Sequence, residues 1–287
     1  MRKFLLRNEY GEQIELQGGD LFFYAPEGLG YADNIEYMQS NGFFIVASEE
    51  QSQVEKTGTL VFYGNAYQEY QNIMNWILSA EKLSLAYKPL DTWYYQNIQV
   101  TEVEKSELRL EGKVLEVPVV FTPISPIYAP YDLNLTIEGQ TAHSNKKYNY
   151  LYPYVYSNSG IAGKLNFTIT AQVDSDFQIE LDGAISAPSI TVTRNDTDAV
   201  IGKVDLTATS AQVGESIVFN TVAGRAGAIK RGSDGVETDL TPYLGLETGT
   251  PTYFRIPANV PCSLQVSATS LLGLRARMTV YRYYRTV

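Results

Sequence analysis

From Lys164 to Val173 the chain reads KLNFTITAQV, and apolar and polar residues alternate without a break. Side chains alternate across a strand with period two, so Leu165, Phe167, Ile169, Ala171 and Val173 share one face and Asn166, Thr168, Thr170 and Gln172 the other. A helix would scatter both sets around its axis. FQIELDG from Phe177, SITVTRN from Ser189, GKVDLTATS from Gly202, CSLQVSATS from Cys262 and the closing ARMTVYRYYRTV repeat the pattern. Short alternating runs at roughly even spacing with turn signals between them, such as Asp234-Gly235, predict a β-sandwich.

The first half is also strand-rich: QIELQ, TLVFYG, LSLAYKP, the run from Tyr94 to Gly112, and KVLEVPVVFTP, with a hairpin turn expected at Gly112-Lys113. One segment breaks the rule. GNAYQEYQNIMNWILSAEK places Ala66, Tyr70, Ile73, Met74 and Ile77 on one helical stripe, behind Asn65 as N-cap and Gln68 as its capping-box partner. The helix is expected to cover one side of a sheet, with Trp76 and Ile73 contributing to the core. TPISPIYAPYD, with Pro123, Pro126 and Pro130, is read as a stiff connector that stops strands. The expected division is 1–130 and 131–287, in a mainly β chain.

Composition removes most chemistry. The one cysteine, Cys262, excludes an intrachain disulfide and a cysteine zinc site; the one histidine, His143, sits in the polar stretch GQTAHSNKK with no apolar wall to tune it as a base. P-loop, HExxH and GxSxG motifs are absent, and the glycines of YAPEGLGY lack the third glycine of a dinucleotide fingerprint. Asp174, Asp176, Glu180 and Asp182 cluster, but without a glycine-centred calcium loop they read as solvated strand ends. No catalytic residue, metal site or cofactor is expected. A formal charge of −10 opposes phosphate-backbone binding. No apolar run is long enough for a signal peptide or a membrane span, so a soluble protein made in a cytoplasm is expected, and the Asn-x-Thr triplets at Asn134, Asn166 and Asn195 are expected to be chance matches.

YNYLYPYVYS places Tyr148, Tyr150, Tyr152, Tyr154 and Tyr156 in one row if it is a strand. Pro153 cannot donate a ladder bond, which puts that strand at an edge or a bulge. The row reads as a structural seam, as a contact between subunits or partners, or as a sugar platform, and the residues alone leave all three open.

TLVFYGNAYQEYQNIMNWI, LAYKPLDTWYYQNIQVTEVEK, VPVVFTPISPIY, YNYLYPYVY and the late TDLTPYLGLETGTPTYFRIPANV, in that order, resemble the distal tail proteins of long-tailed bacteriophages, and the resemblance runs over nearly the whole chain. It implies an N-terminal belt domain that closes a homo-hexameric ring, followed by an outward galectin-like β-sandwich. It further implies a place at the tail tip of the virion, with the tail tube protein, the tip hub protein and, in many phages, a receptor-binding protein as partners. Six copies at −10 would carry about −60, a charge that repels DNA rather than binding it. The alternative is a free-standing carbohydrate-binding sandwich.

Overall fold

The structure, a computed structural model, describes residues 2–107, 114–137, 161–206, 209–245 and 252–287. Among the described residues it is mainly β with one α-helix, and the chain divides into two compact units, Met1–Ala129 with Tyr283–Val287, and Pro130–Arg282.

The first unit contains β1 (Lys3–Asn8), β2 (Gln13–Glu15), β3 (Gln17–Gly18), β4 (Leu21–Tyr24), β5 (Asp33–Ser40), β6 (Phe43–Gln51), β7 (Lys56–Phe62), α1 (Ala66–Ser79), β8 (Leu83–Lys88), β9 (Tyr94–Val103), β10 (Leu115–Pro123) and the start of β11 (Ile127–Ile137). Apart from β5 and β6, the strands follow the order β3-β4-β7-β10-β9-β8-β1-β2. Only Leu16 separates β2 from β3, and its amide donates to the Phe4 carbonyl. The sheet therefore curls back on itself around one core. Alternation supplies that core: Leu115, Val117, Val119 and Phe121 on β10, Leu60 and Phe62 on β7, and Phe4 and Leu6 on β1. Gly58 is required where it stands, because a Cβ would enter the Phe23 ring.

Helix α1 covers this core with Ala66, Ile73, Met74 and Ile77, and the Tyr70 ring meets Phe62 edge-on at 5.9 Å. Asn65 is the N-cap but makes no side-chain cap bond; Gln68 donates instead to Asn72 Oδ1. The expected capping box is thus not formed, and packing rather than capping fixes the helix. Trp76 is half-buried at the rim, its Nε1 donating to Glu12 Oε2 at 3.1 Å.

The proline-rich stretch is not a free connector. Pro123 ends β10, only Ile124–Pro126 separate it from β11, and Pro130 lies inside β11. Proline is tolerated at strand ends and at positions that need no ladder donor. The division between the units accordingly falls within a strand. The hairpin expected at Gly112-Lys113 lies outside the described residues; the flanking β9 and β10 do pair antiparallel.

The second unit adds β12 (Ile161–Thr168), β13 (Val173–Ser186), β14 (Ser189–Arg194), β15 (Val200–Asp205), β16 (Ser210–Ala211), β17 (Ser216–Asn220), β18 (Gly227–Arg231), β19 (Glu237–Asp239), β20 (Pro261–Ala268) and β21 (Ser270–Tyr284). One sheet runs β19-β18-β17-β13-β21-β11 and the other β12-β20-β14-β15. The alternating residues of both meet in one core. Phe177, Ile179 and Leu181 come from β13, Ile190 and Val192 from β14, Cys262, Leu264 and Val266 from β20, and Met278 and Val280 from β21. This is the sandwich that the period-two pattern predicts. The turn at Asp234-Gly235 joins β18 to β19, with Gly235 at φ +81° and Asp234 Oδ1 accepting from the Val236 amide.

Candidate assembly surface

Strands β5 and β6 form a separate two-stranded sheet in the first unit. Asn41 (φ +50°) and Gly42 (φ +82°) join them, the pair of positive φ values that a tight type I′ hairpin turn requires. Ser40 pairs with Phe43, Gln39 with Phe44, Met38 with Ile45 and Tyr37 with Val46. Alternation then puts Phe44, Val46 and Tyr37 on one face and Phe43, Ile45 and Met38 on the other.

Neither face is covered. Phe43 and Phe44 are 74% and 73% exposed, Tyr37 60% and Met38 57%. An isolated hairpin is at best marginally stable in water, and contiguous exposed apolar surface of this kind marks an interaction site. The root is held by charge. Arg285 Nη1 lies 3.3 Å from Asp33 Oδ2 and 3.2 Å from Glu49 Oε1, and this bonding pushes the arginine up from its ordinary value. The segment carrying Arg285 is itself seated by Tyr284, whose ring meets Tyr94 edge-on at 5.1 Å. The tip from Ser40 to Ala47 carries no charge.

Sequence reasoning missed this element, although its signal is plain: SNGF, an Asn-Gly turn beside the uninterrupted apolar run FFIVA. The residues it did single out fare differently. Tyr148, Tyr150, Tyr152, Tyr154, Tyr156 and His143 lie outside the described residues. Within the acidic cluster Asp174 and Asp182 are exposed, as expected of solvated strand ends, but Asp176 is not: its side chain is 4% exposed and accepts from Arg255 Nε at 2.9 Å. Asp174 takes the Ala258 amide, and Glu180 faces Ser216 and Arg231. Asp182 is pushed up by burial and by Glu180. Among the described residues no three His, Cys, Asp or Glu side chains gather as a metal site, and no helix is long and apolar enough to cross a membrane. Cys262 is buried, and burial pushes its thiol up to about 11.

The family profile described as the distal tail protein, N-terminal domain, matches residues 3–124. Over that stretch, less than half of the chain, the sequence is similar to the distal tail protein N-terminal domain. The match ends just before Ala129, the last residue of the first stretch of the first unit, and contains both the hairpin and α1. Two solved structures share the fold along nearly the whole length of the chain. A chain of the phage P2 baseplate in its activated conformation with calcium superposes with a TM-score of 0.69 at 17% identity, covering 100% of both chains. The SPP1 Dit protein, described as a hub adsorption apparatus of phages infecting Gram-positive hosts, gives 0.59 at 9% identity over 96% of this chain and 98% of its own. No curated protein matches the chain by sequence.

Proposed function

We propose that this protein is the distal tail hub of a bacteriophage, six copies forming a ring that joins the tail tube to the tip and supports host attachment. The observation that carries the reading is the uncovered β5–β6 hairpin within the family-defining domain. A hairpin that exposes apolar side chains on both faces and has no core of its own is built to be completed by other chains. Residues 1–130 act as the ring-forming belt and residues 131–287 as the outward sandwich. The working site is the virion tail tip, after synthesis in the host cytoplasm. The partners are the tail tube protein, the tip hub protein and, where the phage has one, a receptor-binding protein. The role is structural rather than enzymatic. The Tyr148–Tyr156 row is assigned to a seam or subunit contact within this assembly. Light scattering of the protein with and without the tail tube protein tests the reading. A six-copy species in either condition supports it, and a monomer in both contradicts it.

A further inference from the structure

Strand β9 is longer than its neighbour β8. β8 begins at Leu83, opposite Ile98, so among the described residues Gln99–Val103 has β10 on one side and no strand on the other. Val103 pairs with Val119 on β10, while the next amide, that of Glu104, donates to the Pro118 carbonyl. Backbone groups alternate sides along an antiparallel strand, so the N–H and C=O of Val103 face the open edge. The chain just before β8 does not cover them, because the Glu81 and Lys82 amides turn to the Glu9 carboxylate.

The two faces beside this edge differ in chemistry. On the inner side a groove of about 500 Å³ separates β9 from α1, with Tyr70, Met74, Ile77 and Leu78 on the helix and Val100 and Val103 on the strand. Glu81 is the one charged residue in its lining, and Leu78, on the lip, is 82% exposed. On the outer side β9 and β10 carry a hollow of about 380 Å³ lined by Glu27, Glu102 and Glu104, with no base among its residues. A bulge sets this division. The pairing shifts between Val120 and Phe121 and leaves Thr101 without an opposite number, so Val100 and Val103 both turn in against the core while Glu102 stays exposed.

We propose that the Gln99–Val103 edge accepts an extended segment of another protein as an added strand, in which apolar side chains alternate with lysine or arginine. Each property of the occupant follows from a property of the site. The open backbone edge requires an extended chain, which supplies main-chain hydrogen bonds while alternate side chains enter pockets. Side chains alternate across a strand, so the groove takes the apolar set and the acidic hollow the basic set. Charge also separates the possible sources. In this chain LRARM, from Leu274, alternates in the required way, but Leu274, Ala276 and Met278 are buried in the sandwich core, and the hairpin tip from Ser40 to Ala47 has no base. A chain of net charge −10 is a poor match for three glutamates, so the strand comes from a different and more basic protein. The site stands on the first unit alone; that its partner is a neighbouring tail protein rests on the function proposed above.

The test titrates full-length protein with a fluorescent peptide that alternates valine with lysine over about nine residues. Two control peptides carry glutamate in place of lysine, or N-methyl groups throughout the backbone. Saturable binding of the lysine peptide is expected, with either control weaker by about tenfold or more. Hydrogen exchange at the Val103 amide is expected to slow when the lysine peptide is bound. Glu102→Lys combined with Glu104→Lys, both at exposed positions, should abolish the preference for lysine over glutamate and leave melting unchanged. No binding of the lysine peptide, equal binding of the N-methylated one, or protection away from β9 overturns the proposal. If the lysine peptide breaks up a six-copy species, a second copy fills the edge and the assignment to another protein is overturned. A monomer that still takes the peptide at β9 keeps this site while the ring reading fails.

Discussion

Two antiparallel pairs, β5–β6 and β13–β17, are built by the same ladder rules and end in opposite environments. In β13–β17, Phe177, Ile179, Leu181, Ile217 and Phe219 are wholly buried between two sheets. In β5–β6 the apolar residues sit on both faces and are all substantially exposed. The difference lies in the pattern. β13 alternates, so one polar face meets water while the other meets a core. The run Phe43–Val46 does not alternate, so neither face suits water and no single sheet could cover both. A strand pair that is apolar on two sides inside a folded chain marks an interaction surface, and this one lies within the stretch that matches the distal tail protein N-terminal domain.

The contrast can be broken most forcefully in the sandwich. Phe177→Ala is expected to cost about 3–5 kcal/mol in denaturant unfolding, as large-to-small changes in a closed core do. Phe43→Ala, the same chemical change on the hairpin, is expected to stay within about 0.5 kcal/mol of the parent monomer. Equal losses at both positions would mean that the hairpin packs within its own chain. A narrower version sits on α1: Ile73→Ala should cost about 2–5 kcal/mol, and Leu78→Ala, one turn on and outside, almost nothing.

Lys56 provides a smaller test with the opposite sign. It is a buried base in the first unit, and burial lowers its ammonium from 10.5 to about 8. The folded state releases this proton first, so between pH 8 and 10.5 the unfolded chain binds more protons and stability rises with pH. Below pH 8 the full cost of the buried charge is present. Lys56→Met should therefore stabilise the protein at neutral pH, by at most about 3 kcal/mol, and flatten the rise above pH 8. A variant that melts below the parent at pH 7 would show that the ammonium has a favourable partner. At the small end, Cys262 should resist thiol reagents until the sandwich unfolds, as expected of a buried thiol that burial has pushed up.

Much of the fold was legible because burial and periodicity coincide. The alternating segments of the second unit became core strands, and the Ala66–Ile77 stripe became the buried face of α1. Where they separate, reading failed. The prolines of TPISPIYAPYD suggested a break, but Pro123 and Pro130 occupy positions where the sheet needs no donor from them. Asp176 looked solvated because its partner, Arg255, is distant in sequence and meets it only through the fold. The assembly surface was missed for a related reason. The tyrosine row has a regular period whereas FFIVA has none, and a reading built on period passes over a hairpin that is apolar on both faces.

The most direct test compares the assembled mass of the parent with that of a Phe43→Ser, Phe44→Ser double variant, by sedimentation in the presence of the tail tube protein. The parent should sediment as six copies of the 32.0 kDa chain, and the variant as a single copy with the parent monomer's melting temperature. A variant that keeps the six-copy mass would show that the hairpin does not hold the ring together and would contradict the account at its centre.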